Sequence, residues 1–85
     1  MKISHYYGNS TSSKATNTLI ESGNISIYYS YGTIIAIKVD DELTISKNIW
    51  GTVTGKHLNT IDRDKSKRVE NKVLQELVDK LVVTV

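Results

Sequence analysis

Hydrophobic and polar residues alternate along the middle of the chain, most regularly over residues 24–46. In residues 25–31 every second side chain is aliphatic or aromatic, which predicts a strand with one buried face. Residues 33–39 are apolar on both sides, as in a central strand that is covered on both faces. The predicted inward side chains of the first of these strands are Ile25, Ile27, Tyr29 and Tyr31.

Two short turns divide this region into three strands. The first is predicted at residues 31–32, a Tyr-Gly pair, because glycine adopts a positive φ without a Cβ clash. The second is predicted at residues 40–41, an Asp-Asp pair. Residues 42–46 then form the next strand, with Leu43 and Ile45 inward. The pattern therefore predicts an antiparallel meander.

The N-terminal quarter carries weaker signals. Residues 2–7 alternate and predict a short first strand. Residues 8–13 are Gly, Asn, Ser and Thr, whose side chains compete with regular backbone hydrogen bonding, so we expect a loop. Residues 14–22 predict two helical turns after a serine cap, with Ala15 and Leu19 inward.

Helical spacing replaces alternation in the second half of the chain. Residues 49–61 predict a helix capped by Asn48 or Ser46, and residues 67–80 predict a second helix after a charged loop at 62–67. Residues 81–85 are rich in valine and predict a terminal strand. The inward faces are Trp50, Val53, Thr54, His57, Leu58 and Ile61 in the first helix, and Val69, Val73, Leu74, Leu77, Val78 and Leu81 in the second.

These elements predict an α+β fold in one domain over residues 1–85, an antiparallel sheet of three to four strands with two helices packed on one face. The chain has no cysteine, so it has neither disulfides nor a thiolate metal site, and we expect no cofactor. The longest apolar run, residues 34–37, is too short for a membrane span, and the N-terminus lacks the apolar core of a signal peptide. We therefore expect a cytoplasmic protein that does not contact membranes.

Three groups of residues carry candidate chemistry. His57 could act as a general base, but a histidine on an apolar helix face is more often a hydrogen-bonded structural residue. Residues 40–42 are three consecutive acids, a pattern typical of a solvated hairpin tip. Residues 8–14 faintly resemble a phosphate-binding loop, yet the second glycine and the hydroxyl residue after the lysine are missing. A small enzyme centred on His57 is the weakest functional hypothesis.

A basic segment is the main candidate for partner binding. Eleven basic and nine acidic residues give a net charge of +2, which alone does not imply nucleic acid. Six Lys or Arg residues fall between positions 56 and 72, although three acids are interleaved. An outward tyrosine on the sheet would add a contact anchor. The predicted partner-binding residues are Tyr28, Lys56, Arg63, Lys65, Lys67, Arg68 and Lys72.

Two strings resemble a family of small uncharacterised phage and plasmid proteins: Ile-Tyr-Tyr-Ser-Tyr-Gly-Thr-Ile-Ile-Ala at residues 27–36 and Trp-Gly-Thr-Val-Thr-Gly-Lys-His at residues 50–57. The family pattern has Ser-Tyr-x-Thr-x-Ile-Ala followed by an aromatic residue, Thr and His, with Ser where this chain has Gly51. The motif residues that match, and that could form a polar network between hairpin and helix, are Ser30, Tyr31, Thr33, Trp50, Thr54 and His57.

The resemblance implies an origin in a mobile genetic element rather than an activity. Small cysteine-free proteins of such elements often inhibit host defences, anti-CRISPR proteins among them. We therefore expect a non-enzymatic protein that binds a host protein, in particular a nucleic-acid-handling defence complex. The alternative is a small nucleic-acid-binding regulator that uses residues 56–72. Self-association stays open.

Overall fold

In the computed structural model, which describes residues 1–6 and 17–83 and side chains as far as residue 80, one antiparallel sheet organises the chain. Within the described residues the sheet has five strands, and their spatial order equals their order in the sequence. The fold is α+β, as predicted. The strands are β1 (Lys2–Ser4), β2 (Asn17–Ser22), β3 (Ile25–Ser30), β4 (Thr33–Val39) and β5 (Glu42–Ile45).

Strand β2 corrects the prediction of a helix over residues 14–22. Every residue of β2 pairs with β3, from Asn17 opposite Ser30 to Ser22 opposite Ile25. The local sequence contains Asn and Thr, which are poor helix formers, so pairing with an already formed hairpin decides the conformation. With this strand the sheet has five strands, more than the predicted three to four. Residues 7–16, which include the predicted loop and the phosphate-loop resemblance, lie outside the described residues.

A β-bulge in β4 builds the core. Tyr28 pairs with Ala36 but its neighbour Tyr29 pairs with Ile34, so Ile35 is an extra residue on that strand. A bulge of this kind turns two successive side chains towards one face of the sheet. Ile35 and Ala36 are accordingly both fully buried in one cluster with Ile45 and Leu58. Because of the bulge, β4 contributes two adjacent side chains to the helix-facing core.

Three helical segments follow the sheet within the described part of the chain: α1 (Thr52–Ile61), the 3₁₀ turn η1 (Lys65–Lys67) and α2 (Asn71–Val83). Helix α1 begins three residues later than predicted, and α2 begins four residues later and continues through Val83. Residues 81–83 are therefore helical, which corrects the predicted terminal strand, while residues 84–85 lie outside the description.

The two helices lie on opposite faces of the sheet, which corrects the prediction that they share one face. Leu58 of α1 packs with Ile45 of β5, whereas Leu77 of α2 borders a cavity with Thr44, whose side chain points the other way. Between the helices, the N–H of Val69 donates to the carbonyl of Ile45 at 2.8 Å. The chain therefore passes the outer edge of β5 before α2 begins.

This arrangement explains why β4 is apolar on both sides. Ala36 is covered by the α1 side, and its neighbour Ile37 faces the other side yet is only 1% exposed. Helix α2 supplies that second cover through its fully buried Leu74. The predicted inward faces of the helices are only partly buried: Trp50, Val53 and Val73 are 37%, 43% and 42% exposed.

Both predicted hairpin turns form, and both use left-handed backbone. Asp40 and Asp41 have φ values of 50° and 66°, and Tyr31 and Gly32 have 60° and 118°. Aspartate and glycine tolerate this region, but a bulky residue with positive φ is strained. Tyr31 was predicted to face inward, yet its side chain is 62% exposed. The chain thus holds an exposed aromatic ring in a conformation that asparagine would adopt more easily.

Replacing Tyr31 with asparagine tests this strain. We expect Tyr31→Asn to raise the free energy of unfolding by about 1 kcal/mol, and therefore to raise Tm by about 4–8 °C, measured by thermal unfolding. Tyr31→Phe keeps both the ring and the strain and should leave Tm unchanged. A lower Tm for Tyr31→Asn would show that the ring contacts outweigh the strain.

Candidate functional site

Three buried polar side chains join α1 to the sheet. The Oγ of Ser30, at the end of β3, lies 2.8 Å from Nδ1 of His57 and 3.0 Å from Oγ1 of Thr54. The three residues are 3%, 0% and 8% exposed. Thr54 and His57 are three residues apart, so they project from the same side of α1. We call Ser30, Thr54 and His57 the polar cluster.

Aromatic rings surround the polar cluster. The ring of Tyr6 lies edge-on to that of His57 at 5.9 Å between centroids, and the ring of Tyr31 lies 6.1 Å away. The hydroxyl of Tyr6 donates to the carbonyl of Tyr29 at 2.6 Å, which fixes the segment after β1 against β3. His57 therefore lies close to the hydroxyl of Ser30 and to two aromatic rings.

Burial sets the protonation states in this region. Removal from water lowers the pKa of His57, so the imidazole is neutral at pH 7. Burial, with a smaller contribution from the neighbouring Tyr28, raises the pKa of the Tyr6 phenol well above its usual value. Both side chains are therefore uncharged at neutral pH, and Tyr6 keeps its proton for the hydrogen bond to Tyr29.

A cleft of about 400 Å³ opens beside the polar cluster, between the β3–β4 turn and the segment that leads into α1. Tyr31, Trp50 and Val53 are its exposed aromatic and aliphatic walls. Thr33, Gly51 and Thr52 are exposed there as well. Ile35 and Ser30 contribute buried lining, so the cleft reaches the core. The cleft is lined by Ser30, Tyr31, Thr33, Ile35, Trp50, Gly51, Thr52, Val53 and Thr54.

Asn48 holds the Trp50 side of the cleft. Its Oδ1 accepts from the N–H of Trp50 at 3.0 Å, and its Nδ2 donates to the carbonyl of Gly51 at 3.0 Å. Asn48 therefore braces the segment before α1; the cap position itself is Gly51, without a side-chain hydrogen bond, so neither predicted cap residue performs that role. A Cβ at Gly55 would lie 2.9 Å from Nδ2 of Asn48. The helix glycine thus makes room for this brace.

The structure brings together all six motif residues around the cleft and the polar cluster. Ser30 and Thr54 belong to both, Tyr31, Thr33 and Trp50 line the cleft, and His57 lies in the cluster alone. Sequence reasoning gave Asn48 a different role, that of a helix cap, and did not assign Gly55 or Tyr6 to this site. The available signal for the contact between Asn48 and Gly55 was a glycine in the middle of a helix. Such a glycine destabilises a helix by about 1 kcal/mol relative to alanine, so its presence indicates that a neighbouring group needs the space.

Tyr28 is not the outward anchor that was predicted. It is half-buried, packs against the core cluster on the α1 side, and lies edge-on to Tyr6 at 5.4 Å. Tyr28 and Ser30 are two residues apart on β3, so they lie on the same face of the sheet, which α1 covers. The exposed aromatic positions near α1 are instead Tyr31 and Trp50.

The predicted basic residues follow α1 and the loop after it. Lys56, Arg63 and Lys65 are exposed and form no ion pair within the described residues. Lys67 pairs with Asp62 at 3.6 Å. Arg68 is half-buried and donates from Nη2 to Oδ1 of Asn59 at 2.7 Å, which draws the loop back onto α1. Lys72 is exposed on α2.

Acidic residues moderate the charge of this surface. Asp64 accepts from both the hydroxyl and the backbone N–H of Ser66, and these hydrogen bonds lower the pKa of its carboxyl. Glu70 pairs with Lys47 at 2.6 Å, which lowers the Glu70 pKa in the same way. Both acids therefore stay ionised at neutral pH.

The described side chains offer no group of three or more His, Asp or Glu residues that could hold a metal ion. The acidic tip at residues 40–42 is exposed, as the solvated-tip interpretation expects. There Asp40 accepts from Nδ2 of Asn24, and Asp41 lies 3.8 Å from Nζ of Lys38. The tip therefore serves the hairpin by local pairing.

Comparison with known proteins places the chain in a family. The sequence matches the family of unknown function DUF8033 over residues 1–76. The chain belongs to this family. The match of this DUF8033 chain to its family extends past residue 62. It therefore includes η1 and the first half of α2 as well as the two motif strings. No curated protein and no solved structure matches the chain. Among the described residues, no helix is both long and apolar enough to cross a membrane.

The buried neutral His57 predicts a pH-dependent stability of this DUF8033 chain. Its pKa is lowered in the folded state, so below about pH 6.5, the usual histidine pKa, the unfolded chain binds more protons than the folded one. The free energy of unfolding should therefore fall on acidification, by at most about 1.4 kcal/mol per pH unit for this one group. Urea unfolding at pH 7.5 and 5.5 measures the effect.

Two variants isolate the contribution of His57. His57→Gln cannot take up a proton in this range, so its loss of stability between the two pH values should be smaller than that of the native chain. Val73→Ala changes an exposed valine of α2 that does not titrate, and it should keep the native pH dependence. Equal slopes in all three proteins would contradict the assignment.

Proposed function

We propose that this protein acts by binding another protein rather than by catalysis, with the cleft between Tyr31 and Trp50 as its contact site. The observation that carries the proposal is the exposed aromatic and aliphatic wall of that cleft. Aromatic side chains dominate the energetics of protein interfaces, because they bury a large area with few rotatable bonds. Their exposure beside a preformed cleft fits a docking surface.

The polar cluster supports binding over catalysis. Ser30 and His57 are paired as a nucleophile and a base would be, and Ser30 lines the cleft, but the two residues are only 3% and 0% exposed. The hydrogen bonds from Ser30 to Thr54 and His57 tie α1 to the end of β3. Such a cluster positions α1, and α1 carries one wall of the cleft.

The partner we propose is a host protein of a defence system, with this chain as an inhibitor of the anti-CRISPR kind acting in the host cytoplasm. Support comes from the resemblance of residues 27–36 and 50–57 to small phage and plasmid proteins. The same two strings form the cleft and the polar cluster. The shared pattern thus coincides with the surface that we assign to the partner.

A capture experiment with matched variants tests this proposal. Immobilised native chain, incubated with lysate of a host bacterium, should retain a protein that Trp50→Ala fails to retain and Val73→Ala still retains. Val73 is an exposed valine of α2 away from the cleft, so it controls for general loss of apolar surface. Retention that is equal for all three baits, or absent for all, would argue against the proposal.

A second candidate function, a nucleic-acid-binding regulator, has one observation in its favour. Lys56, Arg63 and Lys65 are exposed and without acidic partners among the described side chains, and Arg68 is held against the same helix. Phosphate binding requires free cations of this kind. However, Lys67 is paired and Asp62 and Asp64 are interleaved, so the local excess of positive charge is small.

Salt dependence separates this candidate from protein binding. If the basic surface meets phosphates, fluorescence anisotropy with a labelled duplex and a labelled single strand should show binding that weakens steeply as salt rises. The double variant Lys56→Ala and Arg63→Ala should reduce the salt slope, whereas Trp50→Ala should leave it unchanged. Absence of binding at low salt would reject this function.

A further inference from the structure

We propose that the cleft beside the polar cluster receives one uncharged aromatic side chain of a protein partner. This inference deepens the proposed function and rests on it, because it names the chemistry of the group that the contact site takes. It assigns the specificity of the protein to Tyr31, Trp50 and Val53 rather than to the basic segment.

The charge of the lining supports an uncharged occupant. All nine described residues that line the cleft are neutral, four of them being Ser or Thr. A phosphate or carboxylate would need a cation at the site to repay its loss of hydration, and an ammonium would need an acid. The described lining supplies neither. It supplies apolar walls for a ring and hydroxyls for a single polar tip such as a phenol or an indole N–H.

The size of the cleft supports an aromatic occupant. A volume of about 400 Å³ is in the range of small-ligand sites, and the cavity is half open, so an inserted group can stay attached to a larger partner. The buried Ile35 lies at its inner end, and Trp50 and Val53 border it from the α1 side. A ring placed there would bury apolar area on Tyr31 and Trp50 that the isolated chain exposes.

The backbone that carries both aromatic walls is held in place before any partner arrives. The left-handed turn sets the backbone of Tyr31, at a cost in strain, and Oδ1 of Asn48 holds the backbone N–H of Trp50. Binding to such a prepared site loses less conformational entropy, which improves affinity without new contacts. Asn48 is therefore a positioning residue of the site, and Gly55 leaves the space that it needs.

Side-chain analogues test this inference without knowledge of the partner. Indole and p-cresol, added to the isotope-labelled full chain, should shift the backbone amide signals of residues 30–33 and 50–54 in a saturable way in the millimolar range. Butyrate and butylammonium, which carry charge but no ring, should leave these signals in place. Absence of saturable shifts with both aromatic probes would overturn the inference, as would preferential binding of either charged probe.

A matched pair of valines gives the sharpest control. Val53 and Val73 are 43% and 42% exposed and both lie near the start of a helix, but only Val53 lines the cleft. Val53→Ala should weaken indole binding severalfold, and Val73→Ala should not change it. Asn48→Ala should also weaken it, with the amide spectrum outside the segment preserved. Equal effects of the two valine variants would contradict the assignment.

The outcomes distinguish failure of this inference from failure of the proposed function. Binding of aromatic probes with no partner captured by the native chain would leave the cleft assigned and the proposed function unsupported. Capture of a partner that the Trp50→Ala variant also retains would support a protein-binding function but would leave the cleft without an assigned role. If the signals of residues 50–54 shift with protein concentration alone, the occupant is a second copy of the chain, and the inference of a different partner is wrong.

Discussion

The hydrogen bonds between Ser30, Thr54 and His57 are the constraint on which the arrangement of this molecule depends. Helix α1 has two threonines and a glycine in its first four residues, so its intrinsic stability is low. Its position is set by Leu58 in the core and by the hydroxyl and imidazole groups that meet Ser30. Apolar burial alone allows a short helix to slide, whereas a buried hydrogen bond specifies one position.

The polar cluster also determines the geometry of the cleft at the surface. Helix α1 carries Val53 and begins just after Trp50, and Ser30 is followed directly by Tyr31. Because the polar cluster fixes the two elements relative to each other, it also fixes the width of the cleft between them. The buried residues of the motif therefore hold the geometry of the cleft, and its exposed residues form the walls of that cleft.

The opposite faces of the sheet have different roles. On the α1 side, the bulge at Ile35 concentrates buried side chains beneath a short helix and leaves an open cleft at its start. On the α2 side, a longer helix covers the apolar residues of β4, among them Ile37, and Leu74 closes that layer. The edge contact between Ile45 and Val69 lets the chain reach both sides. A small domain thereby buries both faces of its central strand.

The sequence by itself determined the hairpins, the central strand and the two helices, because these depend on local alternation, helical spacing and glycine or aspartate in turns. It also singled out His57 as a structural residue of α1. Tertiary structure decided that residues 17–22 form a strand, that β4 has a bulge, and that the helices separate to opposite faces. Those outcomes depend on pairing with distant strands and on which side of β5 the chain passes. The free energies of strand pairing and of helix packing on the sheet involve residues far apart in the sequence, so a short window of residues does not reveal them.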